Sequence, residues 1–135
     1  MKKNIFKDLS RREREILDIV YELGEANVSD VCGRMEDNPG YDSVRITLGI
    51  LAKKGHLNHR RENRKYIYTP TVPRTRASRS AAMSMMRTFF NDSPKKAIMA
   101  MIDMSSTKMT REELEEIASY IERERKKGGG KEKKT

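Results

Sequence analysis

The sequence predicts a mainly α-helical fold with one small β-hairpin, an α+β architecture of three helices, a hairpin and three further helices. Apolar residues recur at helical spacing in six segments, most of which begin with a capping residue. Between the third and fourth segments, the stretch HLNHRRENRKYIYTP alternates and is rich in Tyr, Ile and Arg. EN followed by RK supplies its turn, which predicts two antiparallel strands.

The first two helices are predicted from caps and apolar periodicity. In LSRREREILDIVYELGE, Ser10 is placed as the N-cap with Glu13 completing a capping box, and Gly24 ends the pattern. The segment NVSDVCGRMEDN is a shorter second helix, capped by Ser29 or Asn27. The inward-facing positions of the two segments are Ile16, Leu17, Val20, Leu23, Val31, Cys32 and Met35.

The third predicted helix has two distinct sides. Asp42 or Ser43 caps it, and it runs to Lys54, where Gly55 stops it. One side gathers Val44, Thr47, Leu48 and Leu51. The opposite side is free of core residues and carries Asp42, Arg45, Ile46, Gly49 and Lys53. A helix that enters a groove of DNA requires such a free side.

The C-terminal half predicts three more helices. Residues 74–80, RTRASRS, are basic and polar, and AAMSMMRTFFNDS then returns to a helical pattern. Ser93 and Pro94 restart a helix, and Thr110 with Glu113 opens the last one with a capping box. The apolar residues of these helices either form a core within one chain or pair two copies of the chain. We favour pairing of two copies, because three short helices rich in Met have little else to pack on. The expected pairing residues are Phe89, Phe90, Ile98, Met101, Ile102, Leu114, Ile117 and Ile121. The tail at 128–135, GGGKEKKT, is expected to be flexible.

Composition restricts the function classes. The chain of 135 residues has 29 Lys and Arg against 20 Asp and Glu, a net charge of +9. That excess favours a polyanionic partner, with solubility alone as the plainer interpretation.

No apolar run reaches the roughly 18 residues that span a bilayer, and the N-terminus has no secretory signal. Because Cys32 is the only cysteine, we expect a cytoplasmic protein without disulfides, metal or cofactor.

Catalytic motifs are absent from the sequence. The two histidines, His56 and His59, flank the first strand of the hairpin without a metal-ligand spacing. HExxH, GxxxxGK[ST], GxGxxG and GxSxG do not occur. The glutamates of REELEEIASYIERER are typical of a solvated helix face. The sequence therefore predicts a binding protein rather than an enzyme.

The element order and the charge together favour DNA. Three helices followed by a hairpin is the order of a winged helix-turn-helix, in which the third helix enters the major groove. Arg45 can present its fork to guanine and Ile46 can contact a thymine methyl, while Asp42 is either the cap, which we favour, or an acceptor from cytosine. Between residues 45 and 65, seven basic residues stand against one acidic residue, as in a phosphate-binding surface. Tyr66 and Tyr68 are expected to pack the hairpin against the helices.

Four motifs in order resemble the penicillinase-repressor family of winged-helix regulators: LSRREREIL, YDSVRITLGILAKKG, RKYIYTP and FFNDSP. The resemblance implies a winged-helix DNA-binding domain at 1–73 and a three-helix dimerisation domain at 74–127. It further implies a homodimeric repressor of dyad-symmetric promoter DNA, with bases read by the third helix and the backbone touched by the wing. The predicted DNA-contacting residues are Asp42, Ser43, Arg45, Ile46, Lys53, Arg60, Arg61, Arg64 and Lys65.

Two departures from the family pattern bear on regulation. Copper-responsive members carry a cysteine-rich tail, which this chain lacks, so metal sensing is disfavoured. Antibiotic-responsive members are cleaved at an Asn-Phe pair, whereas the comparable place here lies near Ala100 and Met101 and no Asn-Phe pair occurs. Release by a regulatory protease is left open. The alternatives are a protein-interaction adaptor and, more weakly, an RNA-binding or nucleoid-compacting protein.

Overall fold

A computed structural model describes Phe6 and residues 8–128. The chain divides into two compact units, Met1–Met85 and Met86–Thr135. The predicted order of three helices, a hairpin and three helices is confirmed, whereas the predicted tail lies outside the described residues except for Gly128. The elements are α1 (Arg11–Leu23), α2 (Val28–Arg34), α3 (Tyr41–Lys53), β1 (Leu57–Glu62), β2 (Lys65–Pro70), α4 (Arg74–Phe89), α5 (Pro94–Ser105) and α6 (Arg111–Lys126).

The core of the first unit lies between α1, α2 and α3. The predicted capping box is present, because the Ser10 hydroxyl accepts from the Glu13 amide at 3.1 Å and the Glu13 carboxylate accepts from the Ser10 amide at 3.0 Å. Gly24 ends α1 with φ of 86°, a conformation that glycine adopts without strain. The largest fully buried side chains are Ile16, Leu17, Val20, Val31, Val44, Leu48 and Leu51.

The starts of α2 and α3 differ. Asn27 caps α2 in a capping box with Asp30, which decides between the two predicted caps. Gly40 occupies the N-cap of α3, and no side chain caps this helix. The prediction that Asp42 or Ser43 caps α3 is therefore wrong. Because the extended backbone of Gly40 already starts the helix, both side chains lie in its first turn.

The predicted hairpin is confirmed. β1 pairs antiparallel with β2, from Leu57 opposite Pro70 to Glu62 opposite Lys65. The two turn residues, Asn63 and Arg64, have φ of 51° and 67°, as a two-residue hairpin turn requires. Asparagine tolerates this region, but arginine is uncommon there. A bridge between Ala26 and Tyr68 fastens the hairpin to the helices.

Helix α4 begins earlier than predicted. The basic stretch 74–80 forms its first turns, and the amide of Ala77 donates to the carbonyl of Pro73 at 2.9 Å. Arginine and alanine are good helix formers and Pro73 directly precedes the helix, so the polar composition does not delay it. The predicted domain boundary between 73 and 74 coincides with the start of α4, whereas the compact units divide within α4, after Met85. The functional division at residue 74 stays a prediction.

The second unit has well-formed helices but little core. The Ser93 hydroxyl accepts from the Lys96 amide at 3.1 Å at the start of α5, and Thr110 and Glu113 form the predicted capping box of α6. Ala97 is the only buried residue of α5, and α6 has none. Contacts between α5 and α6 are at most marginal. Exposed large apolar side chains of this unit are Phe89, Ile98, Met99, Met101, Met104, Leu114, Tyr120 and Ile121.

Among the residues that the structure describes, no helix combines the length and the apolarity needed to cross a membrane.

Candidate nucleic-acid interface

The predicted free side of α3 is exposed. The side chain of Arg45 is 55% exposed and Ile46 is 54% exposed, whereas Val44 and Leu48 on the opposite side are buried. Asp42, Ser43, Gly49 and Lys53 are also exposed. The nearest charged partner of Arg45 is Asp42, with 3.6 Å between its Nε atom and the carboxylate. Such a long, solvated ion pair contributes little and is easily exchanged for another partner.

The strand register distributes the basic residues of the hairpin over both faces. Arg61 lies opposite Tyr66 and His59 lies opposite Tyr68, so these four side chains share one face. Arg60 lies opposite Ile67 on the other face. The sequence alone indicated a cluster of charge, but not this division.

Among the basic residues of the hairpin, Arg60 has the positive charge that is most compensated by nearby carboxylates. Its guanidinium lies 3.1 Å from the Glu25 carboxylate and 3.4 Å from that of Glu62. The hydrogen bond to Glu25 raises the pKa of Arg60. Among the described residues, Arg61, Arg64 and Lys65 make no ion pair. Their charges are therefore the ones available to a polyanion.

The two hairpin tyrosines have different environments. Tyr68 is 5% exposed and packs in the core as predicted, whereas Tyr66 is 46% exposed, so the prediction for Tyr66 is wrong. Tyr68 sits at the bridge to the helices, and Tyr66 lies two residues farther toward the turn. The Arg61 guanidinium lies 5.7 Å from the centre of the Tyr66 ring, and the His59 ring approaches it edge-on at 4.9 Å. Tyr66 is therefore a surface residue within a basic and aromatic cluster.

Two clefts flank Tyr66, between α3 and the hairpin. The larger, of about 520 Å³, is lined by Gly49, Ala52, Lys53, Leu57, Asn58, His59, Tyr66 and Tyr68. The smaller, of about 220 Å³, is lined by Asn27, Val28, Ser29, Tyr41, Arg45, Arg64, Lys65, Tyr66 and Tyr68. The fold thus brings Arg45, Arg64 and Lys65 to one place.

Sequence reasoning missed Tyr41 and Tyr66. Both border the smaller cleft, and both are about half exposed. The strand alternation placed Tyr66 on the same face as Tyr68 but could not show how far the helices extend along the hairpin. No signal in the sequence distinguished Tyr41 from a core residue.

The predicted pairing and cleavage residues lie in the second unit or at its start. Phe89 is 76% exposed, and Ile98, Met101 and Ile121 are each about half exposed. Phe90, Ile102 and Ile117 are half-buried, and Leu114 is at the margin of exposure. The Ala100–Met101 bond lies inside α5. Their roles in pairing and cleavage stay predictions.

Comparison with known proteins decides the family. The model of the penicillinase repressor family matches residues 9–123. The chain belongs to this family. The penicillinase repressor of Bacillus licheniformis is 22% identical over 116 residues, which cover 84% of this chain and 89% of that protein. The predicted family resemblance is thereby confirmed, and membership supports a DNA-binding repressor.

Two further proteins are similar to parts of the chain. An uncharacterized 16.5 kDa protein in the ptsI 3'region of Latilactobacillus sakei is 27% identical over 105 residues, which cover 76% of this chain and 72% of that protein. The solution structure of the DNA-binding domain of the repressor BlaI is 27% identical, covers 56% of this chain and 92% of that chain, and superposes with a TM-score of 0.46.

Proposed function

We propose that this chain is a homodimeric transcriptional repressor that binds dyad-symmetric promoter DNA through α3 and the hairpin. One observation carries the proposal: Arg45 on the exposed side of α3 lines the same cleft as Arg64 and Lys65, two basic hairpin residues that make no ion pair within the described part of the chain. A helix presented beside a positively charged hairpin suits a major groove and its flanking phosphates.

Base recognition is assigned to the exposed side of α3. Arg45 has a planar fork for guanine, and Ile46 offers an apolar contact to a thymine methyl. Because Asp42 does not cap the helix, its carboxylate is free to orient Arg45 or to accept from the amino group of cytosine. Ser43 lies exposed in the same first turn.

Sequence-independent affinity is assigned to the hairpin and the start of α3. Arg61, Arg64, Lys65 and Lys53 provide positive charge for phosphates, with a smaller share from the compensated Arg60. The start of α3 lacks a side-chain cap, so its amide groups can donate to a phosphate. The start of α2 is less suited, because Asn27 and Asp30 already cap it.

Dimerisation is assigned to the second unit. Helices α5 and α6 form with good caps but bury almost nothing within the chain. Helices of this length are marginal in isolation, and they gain stability by burying an apolar face. A second copy would supply that burial through the predicted pairing residues, and the two-fold arrangement would set the two α3 helices on opposite half-sites.

Repression would follow from occupying the promoter, and release from separating the two copies. Two linked half-site binders lose far more than half of their affinity when they are separated. A protease acting near Ala100 and Met101 would have this effect. Since this bond lies within a helix, cleavage would require local unfolding of α5.

Selection of bound duplexes tests the proposal. The full-length protein is incubated with a duplex library from genomic DNA, and the enriched fragments are sequenced. We expect a dyad motif, and a logarithmic affinity that falls linearly with the logarithm of salt concentration. Enrichment of no motif, with equal affinity for all duplexes, would favour the nucleoid-compacting alternative. No binding to any duplex would favour the adaptor.

A further inference from the structure

The middle of the exposed side of α3 carries an apolar pair. Ile46 is 54% exposed and Ile50 is 37% exposed, and neither belongs to the core cluster of the first unit. Because they lie four residues apart in one helix, their side chains are neighbours on the same side of it. Within the described part of the first unit, they are the exposed large aliphatic side chains. Packing within the chain does not use the open surface of either isoleucine.

The cations of α3 lie beside this pair and not between its members. Arg45 lines the smaller cleft next to the hairpin, and Lys53, in the last turn of the helix, lines the larger one. The carboxylate of Asp42, four residues before Ile46, is 84% exposed. An apolar strip with an acid at one end is unsuited to phosphates, whereas it suits the edges of bases.

Gly49 lies beside the two isoleucines on the same exposed side. A glycine inside a helix lowers its stability compared with alanine. The fold does not require a glycine here, because Gly49 is not among the residues with positive φ and a Cβ atom built on it would meet nothing within 4 Å. The missing methyl group therefore leaves space outside the chain, where a ligand can approach the helix backbone closely.

The chemistry of the major groove restricts what this strip can contact. The apolar group that a base presents there is the methyl group at C5 of thymine, and cytosine presents the same group when it is methylated at C5. Residues four apart in a helix are separated by about 6 Å along its axis, and successive base pairs by about 3.4 Å. The two isoleucines therefore span about two base steps.

We propose that Ile46 and Ile50 contact two pyrimidine C5-methyl groups about two base steps apart, and that Gly49 is a positioning residue that brings the backbone of α3 close to the base edges. The inference rests on the proposed function. It adds to that function a second reading position, the spacing between the two positions and a role for Gly49. Because 5-methylcytosine offers the same methyl group as thymine, methylation of operator cytosines would alter the affinity of this surface for DNA.

The thymine contacts are tested with deoxyuridine, which lacks the methyl group and keeps the pairing edge. Thymines of the selected dyad duplex are replaced one at a time, and binding of the full-length protein is measured by fluorescence anisotropy. Two positions in a half-site should each weaken binding about fourfold, as expected for a methyl group removed from an apolar contact. In Ile50→Ala one penalty should fall below about 1.5-fold while the other persists, and in Ile46→Ala the reverse should hold.

Methylated cytosine is tested at the same two positions. Each thymine–adenine pair is replaced by cytosine–guanine and, separately, by 5-methylcytosine–guanine. A gain of about fourfold from the cytosine methyl group, lost in the corresponding isoleucine variant, would show that the strip reads the methyl group of either base. No gain, together with a deoxyuridine penalty, would assign both contacts to thymine alone.

Gly49→Ala tests the positioning role, because stability and affinity should change in opposite directions. The variant should melt about 4 °C higher than the wild type. It should bind the selected dyad at least about tenfold more weakly, since losing both methyl contacts of a half-site already costs about that much.

Gly33→Ala in α2 is the matched control, since Gly33 is also an exposed helical glycine at which a Cβ atom would meet nothing within 4 Å. This variant should also melt higher and should change the dyad affinity by less than about twofold. A Gly49→Ala protein that is more stable and binds the dyad as tightly as the wild type would overturn the positioning role.

The methyl contacts and the repressor fail in different ways. Selective dyad binding without a deoxyuridine penalty, or with penalties that persist in both isoleucine variants, would refute the methyl contacts and leave the repressor standing. Equal affinity for all duplexes would refute the repressor, and the methyl contacts with it.

Discussion

The two units carry equally good local helix signals but bury very different amounts of surface. The capping box at Ser10 and Glu13 in the first unit has nearly the same geometry as that at Thr110 and Glu113 in the second. The first unit nevertheless has a contiguous core, whereas α6 has no buried residue. Local signals thus determine where helices form, and burial determines which unit is complete by itself. We infer that the second unit is completed by a second copy.

The largest effect is expected in the first unit's core. Leu48→Ala should lower its free energy of unfolding by about 2–5 kcal/mol, because Leu48 is fully buried. Ile46→Ala, on the exposed side of the same helix, should change it by less than about 0.5 kcal/mol. Chemical denaturation followed by circular dichroism measures both. Equal losses would contradict the assignment of the two sides of α3.

Pairing should fail when a charge is placed on the α6 seam. Ile117→Glu should weaken dimerisation by about a hundredfold or more, because an unpaired carboxylate would be buried between the copies. Ser119→Glu adds the same charge to the exposed opposite side of the helix and serves as the control. Sedimentation equilibrium measures both variants. A dimeric Ile117→Glu protein would show that the seam lies elsewhere.

DNA-binding variants should separate base readers from phosphate binders. Arg45→Ala should cost about 1–3 kcal/mol at the selected site and relax the base preference there. Arg64→Ala should weaken binding on all sequences and reduce the salt slope by about one. Arg60→Ala should reduce that slope less, since Glu25 and Glu62 already compensate its charge. Fluorescence anisotropy over a salt series tests this order, and an equal loss for Arg45→Ala on random DNA would make Arg45 a phosphate contact.

Removing the N-cap side chain of α1 or of α6 should have a smaller effect on stability. The two losses should appear in different measurements. Ser10→Ala and Thr110→Ala should each cost about 1 kcal/mol. In the first unit the loss should appear in the unfolding free energy at any protein concentration. In the second it should appear as a weaker dimer, so its melting temperature should depend on concentration. Concentration-independent melting of Thr110→Ala would argue that the second unit folds without a partner.

The smallest of the expected effects is the loss of stability of the first unit at low pH. Hydrogen bonds from His56, Lys54 and Arg12 lower the pKa values of Asp8, Glu13 and Asp37, respectively. Carboxyls with lowered folded-state pKa values stabilise the fold above their unfolded values of 3.8 and 4.5. That contribution is lost as pH falls through the folded values.

The melting temperature of the first unit should therefore decline below about pH 4.5, modestly because these pairs are solvated. Asp37→Asn should flatten the decline. An unchanged pH profile in that variant would remove the Arg12–Asp37 pair, with its 2.6 Å contact, from the stabilising interactions.

The sequence was sufficient for features that depend on neighbouring residues. Periodicity identified the buried side of α3, and the hairpin followed from alternation and its turn. One error is local, because the backbone of Gly40 already starts α3 before Asp42. Another depends on distant contacts, because the extent of the helices leaves Tyr66 outside the core. The strand register and Glu25, 35 residues before Arg60, explain why that arginine differs from Arg61.

The most direct test of this two-unit account compares a dyad duplex with a single half-site duplex at fixed salt. The wild-type protein should bind the dyad at least about a hundredfold more tightly. Ile117→Glu should bind both duplexes with the half-site affinity. Equal wild-type affinity for the two duplexes, or a dyad preference that survives in Ile117→Glu, would contradict the claim that the second unit pairs two DNA-reading units.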